Sequence, residues 1–138
     1  MTNRIKEYQQ EFKKDAKNKN DPITKRISGE EKKILFNTTH LHRYSSLTFN
    51  GHRIHYDRIY SQDIEGYPGL VVHGPLLAQC LIDFAEDALG SIKQFNFRSE
   101  SPLFDFEEAI LCRKNTESGV ELWVNNSDNK LCMSAIAT

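Results

Sequence analysis

The sequence predicts an α+β fold in which an antiparallel sheet curls around one long buried helix. The helix is indicated by apolar residues at helical spacing, which form the stripe Leu77, Cys80, Leu81, Phe84 and Ala88. Four short stretches with strand-like composition follow it, at residues 92–100, 107–114, 120–124 and 131–137. Because one helix precedes a run of strands joined by turn-rich loops, the strands are expected to pair as hairpins against the helix.

The front of the chain differs in composition from the rest. Residues 1–33 are crowded with charged and amide side chains, so they are assigned to an arm or linker that includes a charged helix over 5–17. Residues 34–138 are assigned to a single domain. Its first part predicts a strand over 35–49, a short helix over 54–62 and a turn at 66–69.

Proline and glycine mark the two ends of the long helix. Pro75 suits the first helical turn, where its missing N–H has no intrahelical partner, and Gly90 is a natural stop. Four aromatic residues are expected to fill the space between the helix and the sheet: Phe95, Phe97, Phe104 and Trp123.

Size, charge and cysteine usage exclude several classes of protein. A chain of 138 residues with a net charge of −1 has no basic field that favours nucleic acid. There is no apolar run of about 18 residues and no secretion signal, so we expect no membrane contact and a cytoplasmic location. Cys80, Cys112 and Cys132 lie far apart without metal-ligand spacing, which indicates reduced core thiols.

A cluster of proton-transfer and amide side chains is the strongest functional signal. Residues 48–57 read Thr-Phe-Asn-Gly-His-Arg-Ile-His-Tyr-Asp, and His73-Gly74-Pro75 begins sixteen residues after Asp57. Chemistry on an acyl thioester needs a group that moves a proton at the β-carbon and backbone N–H donors for the carbonyl oxygen. His55 and the N–H of Gly74 are the candidates for these two roles.

Residues 43–57 resemble the active-site segment of MaoC-type hot-dog hydratases and dehydratases. The resemblance continues in order through residues 65–77 and 97–104, and it covers residues 35–138. It is nearest to the catalytic half of mesaconyl-C4-CoA hydratases and to fungal mitochondrial 3-hydroxyacyl-thioester dehydratases. It implies a hot-dog fold, a substrate carried as a CoA or carrier-protein thioester, no cofactor and no metal.

The chain departs from the common pattern of that family at one catalytic position. The family places an Asp five residues before its catalytic His and an Asn-Pro pair after that Asp, whereas this chain has Asn50 before His55 and His52-Arg53 in place of Asn-Pro. A carboxamide cannot carry a proton at pH 7. The resemblance therefore implies that Asn50 orients a water molecule while His55 transfers the proton.

Each candidate also has a purely structural interpretation. His55 alone is compatible with a surface or capping histidine, and Asn50 with a left-handed turn before Gly51. The remaining substrate-binding candidates are His52, Arg53, Tyr67, Pro68 and His73. His52 and Arg53 either contact phosphates or a substrate carboxylate, or are solvated. Tyr67 and Pro68 either line the acyl pocket or form a rigid turn. His73 is either a wall of the site or a packing residue.

Three functional hypotheses follow. The first is a hydro-lyase for reversible hydration of 2-enoyl thioesters and dehydration of (R)-3-hydroxyacyl thioesters, including a mesaconyl-type substrate. The second is a thioesterase, which needs Asp57, Asp63 or Glu65 to activate water. The third is a subunit or binding module of a heteromeric enzyme. A lone curled sheet has an open edge, so we expect a homodimer or pairing with a second hot-dog chain.

Overall fold

The computed structural model describes residues 29–138, which form a five-stranded antiparallel sheet and two α-helices. One strand and one α-helix precede the long helix: β1 (Glu30–Ile34) and α1 (Thr38–Leu47). The long helix α2 (Gly74–Leu89) is followed by β2 (Phe95–Ser99), β3 (Ala109–Asn115), β4 (Val120–Asn125) and β5 (Leu131–Ala137). The order across the sheet is β1-β3-β4-β5-β2, and every neighbouring pair is antiparallel. The predicted α+β architecture is confirmed.

The apolar face of α2 forms the core together with the concave side of the sheet. Pro75 lies in the first turn, and Gly90 ends the helix with a φ of 76°, a left-handed conformation that favours glycine. The buried helix residues are Leu77, Ala78, Leu81, Phe84 and Ala85, and they belong to the same cluster as Leu111, Leu122 and Val124 of the sheet. Each fully buried leucine contributes about 1.5–3 kcal/mol through the hydrophobic effect.

The prediction of a strand over residues 35–49 is wrong, because this stretch contains α1. Asn37 caps the helix: its side-chain oxygen accepts a hydrogen bond from the N–H of His40 at 2.9 Å. Leu41 and Ser45, four residues apart on the same helical face, are the buried residues of α1. The Thr, Tyr and Phe content that favoured a strand is overridden by this cap and by burial of one helical face.

The boundary of the predicted arm is also displaced, since residues 30–33 lie in β1. This strand pairs with β3, with Glu30 opposite Arg113. Arg113 forms an ion pair with Glu30 and donates a hydrogen bond to the carbonyl of Phe84 at 2.6 Å, so it joins β1 to the end of α2. The helix predicted over 5–17 and the remainder of the arm up to residue 28 lie outside the described residues.

The segment between the two helices brings residue 55 towards the start of α2. It contains a 3-10 turn at Arg53–His55 and a π-helical turn at Tyr60–Ile64, where one short helix was predicted. Residues 70–72 then run extended: the N–H of Val71 bonds to the carbonyl of Ile54 at 3.0 Å, and that of Val72 to the carbonyl of Leu103 at 2.8 Å. This ladder fixes the 3-10 turn beside the residues that precede α2.

The aromatic residues do not all fill the core as expected. Phe104 and Trp123 are buried and Phe95 is half-buried, but Phe97 is 50% exposed, so its predicted core position is wrong. Trp123 lies outside the core cluster, because alternation along β4 directs it to the opposite face from Leu122.

The cysteines agree with the prediction of core thiols. Cys112 and Cys132 are buried, Cys80 is half-buried, and no disulfide joins the three. Burial raises the pKa of the Cys132 thiol to about 12. Within residues 29–138, none of the helices combines the length and the apolar character needed to cross a membrane.

A buried carboxylate locks the loop before β3 to the β4–β5 hairpin. Glu107 accepts hydrogen bonds from the N–H of Phe104 at 3.0 Å and from the side-chain amide of Asn126 at 2.7 Å. The side-chain oxygen of Asn126 accepts hydrogen bonds from the N–H groups of Asp128 and Lys130, both at 2.9 Å. Burial raises the pKa of Glu107, and the two donated hydrogen bonds oppose that shift.

We expect Glu107→Gln to lower the free energy of unfolding by about 1–3 kcal/mol, the usual cost of leaving a buried polar group unpaired. Both neighbours of Glu107 are donors, so either orientation of a glutamine amide places an NH2 group against another N–H. Asn126 cannot turn over without losing its own two bonds. Urea unfolding measures the change, with Glu108→Gln as the control at a more exposed neighbouring carboxylate. Equal stability of Glu107→Gln and the unmodified chain would contradict this account.

Candidate active site

The imidazole of His55 is buried and held in a single tautomer. The residue is 8% exposed, and Nδ1 lies 2.7 Å from the carbonyl oxygen of Val71. A carbonyl oxygen only accepts hydrogen bonds, so Nδ1 carries the proton and donates it. In the neutral ring Nε2 is therefore the unprotonated nitrogen and the potential proton acceptor. The alternative of a surface histidine does not agree with this burial.

His73 lies directly behind His55. The two rings stack with centroids 3.8 Å apart and an interplanar angle of 18°. His73 is fully buried, and its Nε2 forms a hydrogen bond of 2.7 Å with Oγ of Ser45. The ring of Tyr44 meets it edge-on at 4.7 Å. Of the two alternatives for His73, this geometry favours the packing residue.

Burial keeps this histidine pair (His55 and His73) uncharged near neutral pH. Burial is the main cause that lowers the pKa of His55; the hydrogen bond to Val71 raises it, and the nearby His52 lowers it further. Burial, followed by the proximity of His55, lowers the pKa of His73 to about 4. A proton on His55 therefore disfavours a second proton on His73.

Asn50 lies at the end of the turn after α1. Its side-chain oxygen accepts a hydrogen bond from the N–H of His52 at 3.1 Å, and its own N–H donates to the carbonyl of Ser45 at 2.9 Å. This use of the oxygen leaves the NH2 group of Asn50 as the donor available to a ligand. The left-handed conformation proposed for Asn50 is found instead at Phe49, with a φ of 54°. The exposed ring of His52 approaches His55 edge-on at 5.7 Å.

Gly74 begins α2 immediately after His73. The N-cap residue His73 makes no side-chain capping bond and the first turn carries no acidic residue, so the N-terminal N–H groups are not neutralised by the helix's own side chains. A cavity of about 290 Å³ borders Gly74. Its mainly apolar lining includes Val72, Leu77, Ser99, Leu103 and Met133. A helix start beside an apolar cavity suits an acyl group whose oxygen gains negative charge.

A second opening of about 310 Å³ borders Asn50 on the side of α1. Its lining includes His42, Ser45, Phe49, Gly51 and Tyr56. Phe49 is 95% exposed at the rim. One cavity therefore borders Asn50, and the other borders Gly74.

Other sequence-predicted candidates are engaged within the chain. Arg53 forms an ion pair with Asp57 at 2.8 Å and lies over the ring of Tyr60 at 4.2 Å. The N–H of Tyr67 donates to the carbonyl of Ser61 at 2.9 Å, and the carbonyl of Pro68 accepts from Gln62 at 2.9 Å. These last contacts favour the rigid-turn interpretation. In the part of the chain that the structure describes, no group of three or more His, Cys, Asp or Glu has the geometry of a metal site.

Three residues that shape the site were not predicted from the sequence: Tyr44, Ser45 and Val71. Recognition of the Asn37 cap would have predicted α1 and placed Ser45 on the same face as Leu41. No local signal identifies Val71, since its backbone carbonyl rather than its side chain makes the contact.

Comparison with known proteins places the chain among thioester dehydratases. A statistical model of the hydroxyacyl-thioester dehydratase type 2 family matches residues 2–105. The mesaconyl-C(4)-CoA hydratase of Chloroflexus aurantiacus is 47% identical over 96 residues, which is 69% of this chain and 34% of that protein. The mitochondrial hydroxyacyl-thioester dehydratase type 2 of Schizosaccharomyces pombe is 34% identical over 87 residues, 60% of this chain and 28% of its own length. The chain thus spans about a third of these curated relatives.

Solved structures of low sequence identity share the fold. HtdX of Mycobacterium tuberculosis superposes with a TM-score of 0.69 at 16% identity, over 86% of this chain and 47% of that one. The ChsH1–ChsH2 complex of the same organism gives 0.66 at 15%, and the (R)-hydratase of A. caviae 0.63 at 14%; both comparisons cover 82% of this chain and 95% of the other.

These superpositions show the hot-dog fold, an antiparallel sheet around a central helix, as the sequence predicted. The family model covers most of the chain, and the Chloroflexus relative matches over two thirds of it at high identity. The chain therefore belongs to the hydroxyacyl-thioester dehydratase type 2 family.

Proposed function

We propose that this chain carries the catalytic site of a hydro-lyase that hydrates 2-enoyl thioesters and dehydrates (R)-3-hydroxyacyl thioesters. The observation that carries the proposal is the fixed tautomer of His55, whose Nδ1–H bonds to the Val71 carbonyl and leaves Nε2 as the base. Membership of the family and the names of the relatives support the same reaction class.

In the hydration direction Nε2 of His55 removes a proton from water as the water oxygen bonds to Cβ. The electron pair of the Cα–Cβ double bond moves towards the carbonyl, so that the thioester oxygen becomes enolate-like. The N–H of Gly74, at the positive end of α2, stabilises that oxygen. The proton on His55 then returns to Cα, which completes the addition of water and restores the neutral ring.

The NH2 group of Asn50 orients the attacking water in this mechanism. Its oxygen accepts the N–H of His52, whereas its NH2 group takes no part in that bond and is the group proposed to donate to the water. A water molecule that accepts this bond directs its own hydrogen to His55. Asn50 and His55 thus divide between them the work that an acidic residue and a histidine perform in the common family pattern.

The cavity beside Gly74 is the proposed site for the acyl chain. Its volume of about 290 Å³ and its apolar lining suit a short aliphatic group. A mesaconyl-type carboxylate needs a cationic partner; of the two arginines of the motif, Arg53 is paired with Asp57, and Arg43 is exposed on α1 and does not line this cavity. A short uncharged enoyl group is therefore the preferred substrate, and mesaconyl-CoA is the comparison that tests this preference.

A thioesterase is the less favoured alternative. Asp57, the candidate nearest to the motif, accepts hydrogen bonds from Arg53 and from the N–H of Tyr60. These contacts lower its pKa and direct its oxygens into the chain. Such a carboxylate is a poor base for water activation, because its basicity is reduced.

A second hot-dog domain is the proposed partner, in the form of another copy of this chain or a related chain. β2 ends the sheet and exposes most of its residues, and its Phe97, opposite Ala135 of β5, is half-exposed. The comparison with the ChsH1–ChsH2 complex is compatible with such pairing.

A cytoplasmic location is also proposed, because three reduced thiols suit a reducing compartment.

We expect His55→Ala to lower kcat on crotonyl-CoA by roughly a hundredfold or more, the usual contribution of a general acid–base group. Absorbance of the enoyl-thioester conjugation follows the reaction, with mesaconyl-CoA assayed in parallel. His40→Ala, at an exposed histidine of α1, is the matched control and should retain full activity. Unchanged turnover in His55→Ala would remove His55 from the proton-transfer step.

We expect Asn50→Asp to lower kcat by roughly tenfold, because a donor worth about 1.5 kcal/mol is replaced by an acceptor. The bond to the N–H of His52 survives the exchange, so the backbone stays in place. Asn115→Asp, at an exposed amide that ends β3, controls for the added charge. A marked gain in activity would show instead that Asn50 belongs to a partly disabled site.

We expect the purified chain to have at least twice the mass of a monomer, or to gain that mass when a related hot-dog chain is added. Phe97→Lys should shift it to a monomer, because a charge then occupies the edge strand β2. Light scattering after size exclusion measures the mass, and Leu35→Lys, at an exposed apolar residue beyond β1, is the control. A monomeric mass under all conditions would exclude this partner.

A further inference from the structure

We propose that His73 is a positioning residue that fixes the ring plane of His55 and shields one face of it from water. The inference rests on the proposed function, in which His55 is the base of a hydro-lyase. It assigns no substrate contact to His73, which is fully buried.

The stacking geometry restrains the base in two independent ways. The bond from Nδ1 to the Val71 carbonyl fixes one edge of the His55 ring, and the stack at 3.8 Å and 18° fixes its plane. With one edge and one face occupied, rotation of the ring about its side-chain bonds is blocked. Nε2 is then held in one direction, as proton transfer to a bound substrate requires.

His73 is itself held rigidly, and it links the two halves of the site. Ser45 bonds to its Nε2 at 2.7 Å, and Tyr44 packs edge-on against its ring. His73 is also joined through the backbone to Gly74, the first residue of α2. The stacked ring therefore links the position of the start of α2 to that of the 3-10 turn that carries His55.

The charges around the pair favour a His73 that stays neutral. The titratable side chains that contact the pair are His52, from the loop before the 3-10 turn, which meets His55, and Tyr44, from α1, which meets His73. In the described range of the chain no carboxylate forms a hydrogen bond with either ring, and Nδ1 of His73 is buried without a partner. Nothing there stabilises a second imidazolium, so His55 accepts its proton beside an uncharged aromatic face rather than a like charge.

The test compares His73→Phe, which keeps a flat ring, with His73→Ala, which removes it. In His73→Ala we expect kcat to fall roughly tenfold to a hundredfold, as for a misplaced catalytic group, while KM stays within a few-fold. Water that enters the space should raise the pKa of His55 towards 6.5. Activity is lost at low pH as His55 becomes protonated, so this acid limb of the pH–rate profile should shift to higher pH together with the pKa of His55. His73→Phe should retain most of kcat and the original acid limb.

NMR titration of the histidine signals measures the change in the pKa of His55 without any substrate. His40→Ala identifies the signal of one exposed histidine. If His73→Ala does not fold, His73→Val replaces it. Unchanged His55 titration in the ring-less variant, equal losses of kcat in the phenylalanine and alanine variants, or a rise in KM alone would each overturn the proposal. If no thioester is turned over but the titration still follows His73, the hydro-lyase function fails while the positioning role stands.

Discussion

The hydrogen bond from Nδ1 of His55 to the carbonyl of Val71 is the contact on which the site depends. It selects the tautomer of the base, and it exists because the N–H of Val71 also bonds to the carbonyl of Ile54, the residue before His55. Two bonds thus clamp the 3-10 turn to the extended segment at residues 70–72. Since that segment leads within two residues into α2, one short ladder sets the separation of the base and the helix start.

The carboxylates near this ladder are held by arginines and backbone amides rather than by histidines. Asp57 pairs with Arg53, and Asp105 pairs with Arg58 at 2.5 Å while accepting the N–H of Leu70 at 3.0 Å. A carboxylate placed against either imidazole would stabilise its charged form and raise its pKa, so that more of the ring would be protonated near neutral pH. Because both acids are held by other partners, burial remains the main cause of the lowered pKa values of the histidine pair.

The sequence predicted those elements whose signals are local and periodic. The apolar stripe and the Pro and Gly boundaries identified α2, and turn-rich loops separated β3, β4 and β5. The short strand β1 was missed because its Glu-Glu-Lys-Lys-Ile sequence is exposed on both faces and shows no alternation. α1 was mistaken for a strand because its Thr, Tyr and His content outweighed a single capping residue. The roles of Ser45 and Tyr44 depend on where α1 crosses His73, which no spacing in the sequence encodes.

The two margins of the sheet differ in a way that limits growth. β1 carries two acidic side chains followed by two basic ones along an exposed strand, whereas β2 carries two phenylalanines, two neutral polar residues and one arginine. Charged side chains along an edge strand disfavour the addition of another strand, so β2 is the better candidate for the pairing edge. If only one edge of the sheet pairs, the proposed assembly is a closed pair rather than a fibre.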